Sequence, residues 1–440
     1  MLQRLKLLAI RLLRRGERYT GTDNVYLAKG GIFLSIASFM GSASSLALAM
    51  LFARLLGKGV YGTYQYLLSW GSILAIASVT GTSDALTRAV AQGHERTIYA
   101  VLKMRLRWAG IGTLGGLAVG AYYLSKGRTD LFWGFLIVAV FFPAISALSS
   151  WGDYANGRKA FGLQTRYGIA STLGTAAVVV AILLLHPTVI ALTLGFCLSS
   201  LAWNAIALGA TLRRLPPKGE ASDDALRFGK NLTLLDVASS ISNYLDRILI
   251  FTLLGSHETA VYAFAIAPPE QLKGYLKNLY VMALPKVAAR PLNEIRPTFF
   301  RKLFLLIAAI GSVIIVYVLV APQIYRQLFP GYAEAIPYSQ IFSISLLGIA
   351  SALPVAVFNG HMRYKENLHY QVSMSAISIV SLALFVWKWG LLGAICARTL
   401  ARIFGLLHST LLVRKILNVE PEASKNASPT LNAGGSLPSK

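Results

Sequence analysis

Charge is scarce in this chain, and acidic charge most of all. Of 440 residues only 14% are Asp, Glu, Lys or Arg, with 18 acids against 42 bases, while 55% are hydrophobic. A soluble domain carries about 25% charged residues, so this deficit excludes an ordinary globular enzyme or binding module and points to a membrane protein. Cysteine is nearly absent, and Cys197 and Cys396 both lie in apolar runs, which excludes a disulfide framework or a cysteine metal cluster. The six histidines show no ligand spacing, so neither a metal nor a cofactor is expected. Residues 1–20 lack a long apolar core and a small-residue cleavage site, and are not read as a signal peptide.

What the chain has instead is a series of apolar runs. A helix needs about 20 apolar residues to cross a bilayer, and twelve such runs can be drawn: 30–53, 64–83, 108–125, 131–150, 168–186, 188–210, 231–254, 260–283, 303–321, 337–358, 370–387 and 389–413. With the N-terminus in the cytoplasm, 31 Lys and Arg fall on the inner side and only Lys58, Lys126, Arg128, Arg326 and Lys388 on the outer. By the positive-inside rule both termini are cytoplasmic. Most of the net charge of +24 is then membrane topology and attraction to an anionic leaflet rather than nucleic-acid binding. Residues 1–29 read as a basic, amphipathic, interfacial segment, and residues 416–440, rich in Pro, Ser, Asn and Gly, as a disordered cytoplasmic tail.

The runs divide into two halves. Leu55-Leu56-Gly57 and Tyr64 recur as Leu253-Leu254-Gly255 and Tyr262 at an offset of 198. Asn156-Gly157 recurs as Asn359-Gly360 at 203, Arg213-Arg214 is answered by Arg414-Lys415 at 201, and the two cysteines lie 199 apart. Several matches near one offset indicate a repeat. The expected organisation is a six-helix half over 30–211, a cytoplasmic linker over 212–230 and a second six-helix half over 231–415.

Six cations fall in or at the edges of spans: Arg54, Arg247, Lys273, Lys277, Arg398 and Arg402. A charge at bilayer depth costs about 3 kcal/mol or more, and such groups usually face a bundle interior or a water-filled cavity. Along 231–254 the positions Thr233, Asp236, Ser240, Asn243 and Arg247 share one helix face, giving a polar stripe. Asp246 is turned about 100° from Arg247 and pairs poorly with it along one helix, so each is expected to find a partner elsewhere or to face water. After Pro268-Pro269, Glu270, Lys273 and Lys277 share a face, and Arg398 and Arg402 lie one turn apart. Six cations against Asp236, Asp246 and Glu270 leave an excess of +3, which favours an anionic substrate. Arg247, Lys273, Lys277, Arg398 and Arg402 are the candidate substrate-binding groups. Asp236, Asp246 and Glu270 are the candidates for ion coupling or gating, because burial and neighbouring cations move a carboxylate's pKa in opposite directions.

The motifs LLGKGVYGTYQYLL (from Leu55), NYLDRILIFTLLG (from Asn243), VYAFA (from Val261), LFPGYAEAIP (from Leu328), NGRKAFG (from Asn156) and NGHMRYKEN (from Asn359) resemble the polysaccharide-exporter branch of the multidrug/oligosaccharidyl-lipid/polysaccharide exporter (MOP) superfamily. The O-antigen type flippases fit them best. That resemblance implies an all-α polytopic fold of about twelve transmembrane helices in two six-helix halves, forming a V around a central cavity. It implies translocation of undecaprenyl-diphosphate-linked oligosaccharide across a bacterial inner membrane, with membrane lipids, a polymerase and other polysaccharide assembly proteins as partners. It carries a role over to Asp246 and Arg247, as cavity-lining groups. A drug or cation antiporter of the same superfamily would call for an acidic lumen. A lipid II flippase would want the same cationic one and stays open. A membrane glycosyltransferase or polymerase would need a sizeable outer loop with an acid or base, and the longest here, about 321–336, has only Glu334. No enzyme activity is expected.

Overall fold

The computed structural model describes residues 24–288, 292–360 and 364–426, and within these it omits the side chains of 24–37, 231–232, 234–236, 238–239, 275–288, 292–293, 295, 359–360, 364–365 and 418–426. Residues 1–23 and 427–440 lie outside it, and with them most of the expected basic segment and the end of the tail; the side chains of Asp236 and Lys277 lie outside it too.

Among the described residues every regular element is a helix. The first eight are α1 (Asn24–Leu55), α2 (Lys58–Ile76), α3 (Thr82–Ala91), α4 (Thr97–Ser125), α5 (Thr129–Leu148), α6 (Ser150–Gly157), α7 (Phe161–Leu185) and α8 (Val189–Arg214). They are followed by α9 (Asp223–Leu254), α10 (Ser256–Ala288), α11 (Leu292–Leu328), α12 (Ala335–Ser343), a 3-10 segment (Ile344–Ser351), α13 (Ala352–Gly360) and α14 (Tyr364–Asn426). The expected spans fall largely on these helices, but 64–83 runs past the end of α2 at Ile76, across the turn at 77–81 and into α3. Among the described residues seven stretches are long and apolar enough to cross a membrane by length and composition, and the last of them, Glu366–Leu417, covers two of the expected spans. The helices under 64–83 and 108–125 miss that standard through Ser, Gly and Tyr.

Two glycines mark the turns. Gly255 ends α9 with φ +97°, and its N–H donates to the carbonyls of Ile250 and Phe251, a helix stop that favours glycine. Gly390, at φ +57° and ψ −133°, breaks α14 into two helices at the expected boundary between 370–387 and 389–413. That backbone region is essentially closed to residues with a Cβ. Helix continues to Asn426, where the composition suggests disorder from 416.

The chain forms two compact units, one ending at Ile248 and the other beginning at Leu249. In the first, the small residues of α4 allow close crossings: Gly116 meets Ala139 of α5, and the Tyr66 and Tyr123 hydroxyls are 2.7 Å apart. Its outer surface is apolar, with Leu114 68% and Leu185 74% exposed, as lipid contact demands. At one end of this unit, where α4 meets α3, α5 and α6, Arg105 of α4 is 2% exposed, and each of its five N–H donors has an acceptor. Nε donates to Thr82 Oγ1 (2.8 Å), Nη1 to Ser150 Oγ (2.9 Å) and the Ser146 carbonyl (3.2 Å), and Nη2 to Ser83 Oγ (2.8 Å) and Asp153 Oδ2 (3.4 Å). Beside it Glu95 is ion-paired with Arg158 of the NGRK motif.

The stretch expected as a linker is strapped to this same unit. The Tyr154 hydroxyl donates to the Leu215 carbonyl (2.9 Å), Lys218 N–H to Glu95 Oε2 (2.8 Å) and Ser222 N–H to Thr97 Oγ1 (2.9 Å). Asp223 then opens α9. In the second unit the core is built around Phe299, Leu303, Ile310, Leu346, Ala350 and Phe358. The span 337–358 is interrupted there by eight residues of 3-10 helix, a length at which such hydrogen bonding is uncommon and often marks a functional hinge.

Candidate functional site

Three of the charged residues singled out by sequence meet in the second unit. Glu270 of α10 is ion-paired with Arg402, from the second helix of α14. Its other carboxylate oxygen lies 3.2 Å from Lys273 Nζ, one turn along α10. Arg402 also donates from Nη1 to Ser345 Oγ of the 3-10 segment (3.0 Å), and its guanidinium lies 5.1 Å from the centre of the Phe342 ring. The approach is close because residue 348 is glycine: a Cβ there would sit 2.8 Å from Arg402 Cβ. Charge, hydroxyl and ring together hold the guanidinium in one orientation, which a lysine's point charge would not achieve.

Beside this cluster lies a cavity of about 340 Å³, lined by Lys273, Arg402, Ser345, Ser351, Tyr370 and the apolar Ile349, Val355 and Met374, with Gly348 and Ala352. Small-molecule sites are commonly pockets of about 300–1,000 Å³ with mostly apolar walls and a few placed polar groups. The polar groups here are two cations and three hydroxyls; Glu270 does not line the cavity itself but holds both cations at its edge. The chemistry this offers is recognition of an oxyanion by charge-assisted hydrogen bonds, next to walls that accept apolar or hydroxylated groups.

Arg398 and Arg402 share a helix face. Arg398 is half-buried with Nη1 3.5 Å from the hydroxyl of buried Tyr262, and it has a further interaction besides. Of the remaining candidates, Lys277 lies in the second unit with its side chain outside the described residues, and the others belong to the first unit. Asp246 is wholly buried, and its Oδ1 accepts a hydrogen bond from the Arg247 backbone N–H (2.8 Å). It does not face water, and it has a further interaction besides this one. Arg247 Nε is buried without a hydrogen-bond partner among the described residues. Ser240 is half-buried and Asn243 exposed. No cluster of three or more metal-binding side chains occurs among the described residues.

Sequence reasoning missed Ser345, Phe342, Tyr370 and Gly348 as parts of the site. None carries a charge, and each lies in a run that reads as ordinary span. Tyr262 was within reach of it, since it is the counterpart of Tyr64 in the repeat.

Comparison with solved structures gives the fold. An outward-facing multidrug resistance MATE family transporter of the MOP superfamily is 14% identical over 91% of this chain and 97% of its own, with a TM-score of 0.61. An inward-facing structure of such a transporter is 15% identical over 91% and 100%, with a TM-score of 0.64. A MOP superfamily transporter from Pyrococcus furiosus, described as having a binding pocket of reverse polarity that suggests a different function, is 14% identical over 89% and 96%, with a TM-score of 0.62. No curated protein matches the chain. The family model described as polysaccharide biosynthesis protein matches residues 27–288, more than half of the sequence. The chain therefore belongs to the polysaccharide biosynthesis protein family, as a multi-pass membrane protein with the helical fold seen in MOP superfamily transporters.

Proposed function

We propose that the chain is a flippase that moves an undecaprenyl-diphosphate-linked oligosaccharide, an O-antigen or exopolysaccharide repeat unit, from the cytoplasmic to the periplasmic leaflet of the inner membrane. The observation that carries this reading is the cavity on which Lys273 and Arg402 converge. A diphosphate is the anion such a pair recognises. The hydroxyls of Ser345, Ser351 and Tyr370 supply partners for sugar, while the polyprenyl tail stays in the bilayer. A cation-lined cavity is the wrong polarity for a cationic drug. Reverse pocket polarity is likewise what is said to suggest a different function for the Pyrococcus furiosus transporter.

Transport by alternating access needs a return stroke, and an ion gradient can drive it. One elementary charge moved through 100 mV supplies about 2.3 kcal/mol. Glu270 is our candidate for coupling the ion gradient to transport, a reading supported by its ion pairs with both cavity cations. Asp236 and Asp246 are the further candidates for binding the driving ion. In this reading the substrate-binding cations are Lys273 and Arg402 with Arg398, Arg247 and Lys277.

Lys273→Ala and Arg398→Ala are expected to lower export of the lipid-linked glycan at least tenfold in cells while the protein stays in the membrane at normal level, a loss of about 1.4 kcal/mol or more. Unchanged export by both variants would make these cations structural. The 31 to 5 charge asymmetry puts both termini and residues 212–230 in the cytoplasm. Reporter fusions at Pro216-Pro217 should give cytoplasmic signal, and periplasmic signal there would overturn the direction of transport proposed.

A further inference from the structure

The first unit holds a second cavity, of about 430 Å³, which the transport reading does not use. Its walls are apolar: Ile76 at the end of α2, Val79 in the turn that follows, Trp108 and Ile111 on α4, and Val237 on α9. Trp108 and Ile111 are 45% and 57% exposed, so the α4 wall is open at the protein surface. Thr233 also lines it, but its hydroxyl is engaged, accepting from Gly81 N–H (3.0 Å) and donating to the Gly229 carbonyl (2.9 Å). That leaves Lys230, exposed at the start of the span 231–254, as the one charged group in the lining.

The gap is built into the fold. A Cβ at Gly112 would lie 2.5 Å from the Leu74 carbonyl oxygen, and one at Gly229 2.8 Å from the Thr82 methyl. These two close crossings fix α4 against α2 and α9 against α3, and the helices between them cannot close further. Val79 holds φ +59°, a rare conformation for a β-branched residue and one that marks a site held in place by its surroundings. What holds it is the Val79 carbonyl, which accepts from Thr82 N–H (3.2 Å) and Thr82 Oγ1 (2.7 Å), while the same hydroxyl accepts from Arg105 Nε. An apolar, rigid, surface-opening cavity with one cation at its rim matches an amphiphile with a negative head.

We infer that this cavity takes a hydrocarbon chain of an anionic membrane phospholipid, with the Lys230 ammonium on the headgroup phosphate. The site lies wholly in the first unit and does not depend on which glycan is exported. One Lys near the surface of an anionic leaflet is worth about a fivefold preference for a charged over a zwitterionic lipid.

The test uses the full chain in nanodiscs containing a phosphatidylglycerol with a diazirine in one acyl chain, or the matching phosphatidylcholine, with cross-linked peptides read by mass spectrometry. The phosphatidylglycerol is expected to label residues 73–79, 108–111 and 233–241 about fivefold more than phosphatidylcholine does. Lys230→Gln should bring the two to the same level, and Val237→Trp, which fills the cavity, should remove the labelling. Ile241→Phe serves the same purpose if the Trp variant does not elute as a single species. Equal labelling by both lipids in the unaltered chain, or labelling that survives a filled cavity, would mean ordinary contact with the surrounding bilayer and overturn the proposal. Competition by inorganic phosphate alone would overturn it too, by making Lys230 a simple anion site.

Discussion

Arg402→Ala is expected to abolish glycan export, and Glu270→Gln placed beside it is expected to restore stability without restoring transport. Arg402 is 16% exposed in its side chain and Glu270 30%, so truncating the arginine leaves a partly buried carboxylate with Lys273 as its remaining cation. Removing one partner of a buried pair costs about 3–5 kcal/mol, less here because water reaches the carboxylate. Much of that cost is the carboxylate left behind rather than the net worth of the pair. Neutralising Glu270 removes this penalty, so the double variant should unfold near the temperature of the unaltered protein. Export should stay low in it, because the cavity has lost a cation and Glu270, the proposed coupling carboxylate, is neutral. Arg402→Lys keeps a charge but loses the fork that spans Ser345 and Glu270, and should export at an intermediate rate. Normal export by the double variant would mean that Arg402 serves only to neutralise Glu270. The comparison is made by export assays in cells together with thermal unfolding of the purified chains.

The largest effect on stability is expected at Arg105. A guanidinium has five donors, and here all five are used inside a buried cluster drawn from the first turn of α3, from α5 and from α6. Arg105→Leu strands Asp153 and several hydroxyls and should destabilise by about 3–5 kcal/mol. Arg105→Lys keeps the charge near Asp153 but offers three donors from a different geometry, and should lose about half as much. Denaturant or thermal unfolding in detergent reads both, and a loss below about 1 kcal/mol for the leucine variant, the range of an ordinary point substitution, would show that the cluster is not what holds this end of the first unit together.

Arg105 also shows where sequence reading stops. By hydropathy it is one more inner-loop cation before the span 108–125. In the structure α4 begins at Thr97, so the same residue lies buried within the helix. The helices themselves were legible, because twelve apolar runs separated by Gly, Pro and charge leave little choice once the solvent is a bilayer. The short α3 and α6 and the 3-10 break in 337–358 were not, since their reasons are tertiary. Among the site residues, Lys273, Arg402 and Glu270 stood out singly as charges in apolar context. Their meeting did not, because Glu270 and Arg402 are 132 positions apart and no local spacing joins them. Asp246 drew notice for the same reason as the others, yet its Oδ1 is bound at its own backbone step.

The most direct measurement is movement of a fluorescent undecaprenyl-diphosphate oligosaccharide between leaflets of vesicles containing the purified chain, with and without an imposed H⁺ or Na⁺ gradient. Movement above that of protein-free vesicles, stronger with one of the gradients and lost in Arg402→Ala, is the expected result. Movement no faster than in protein-free vesicles under either gradient, or uptake of a cationic drug in its place, would contradict a cation-lined exporter of anionic lipid-linked glycan.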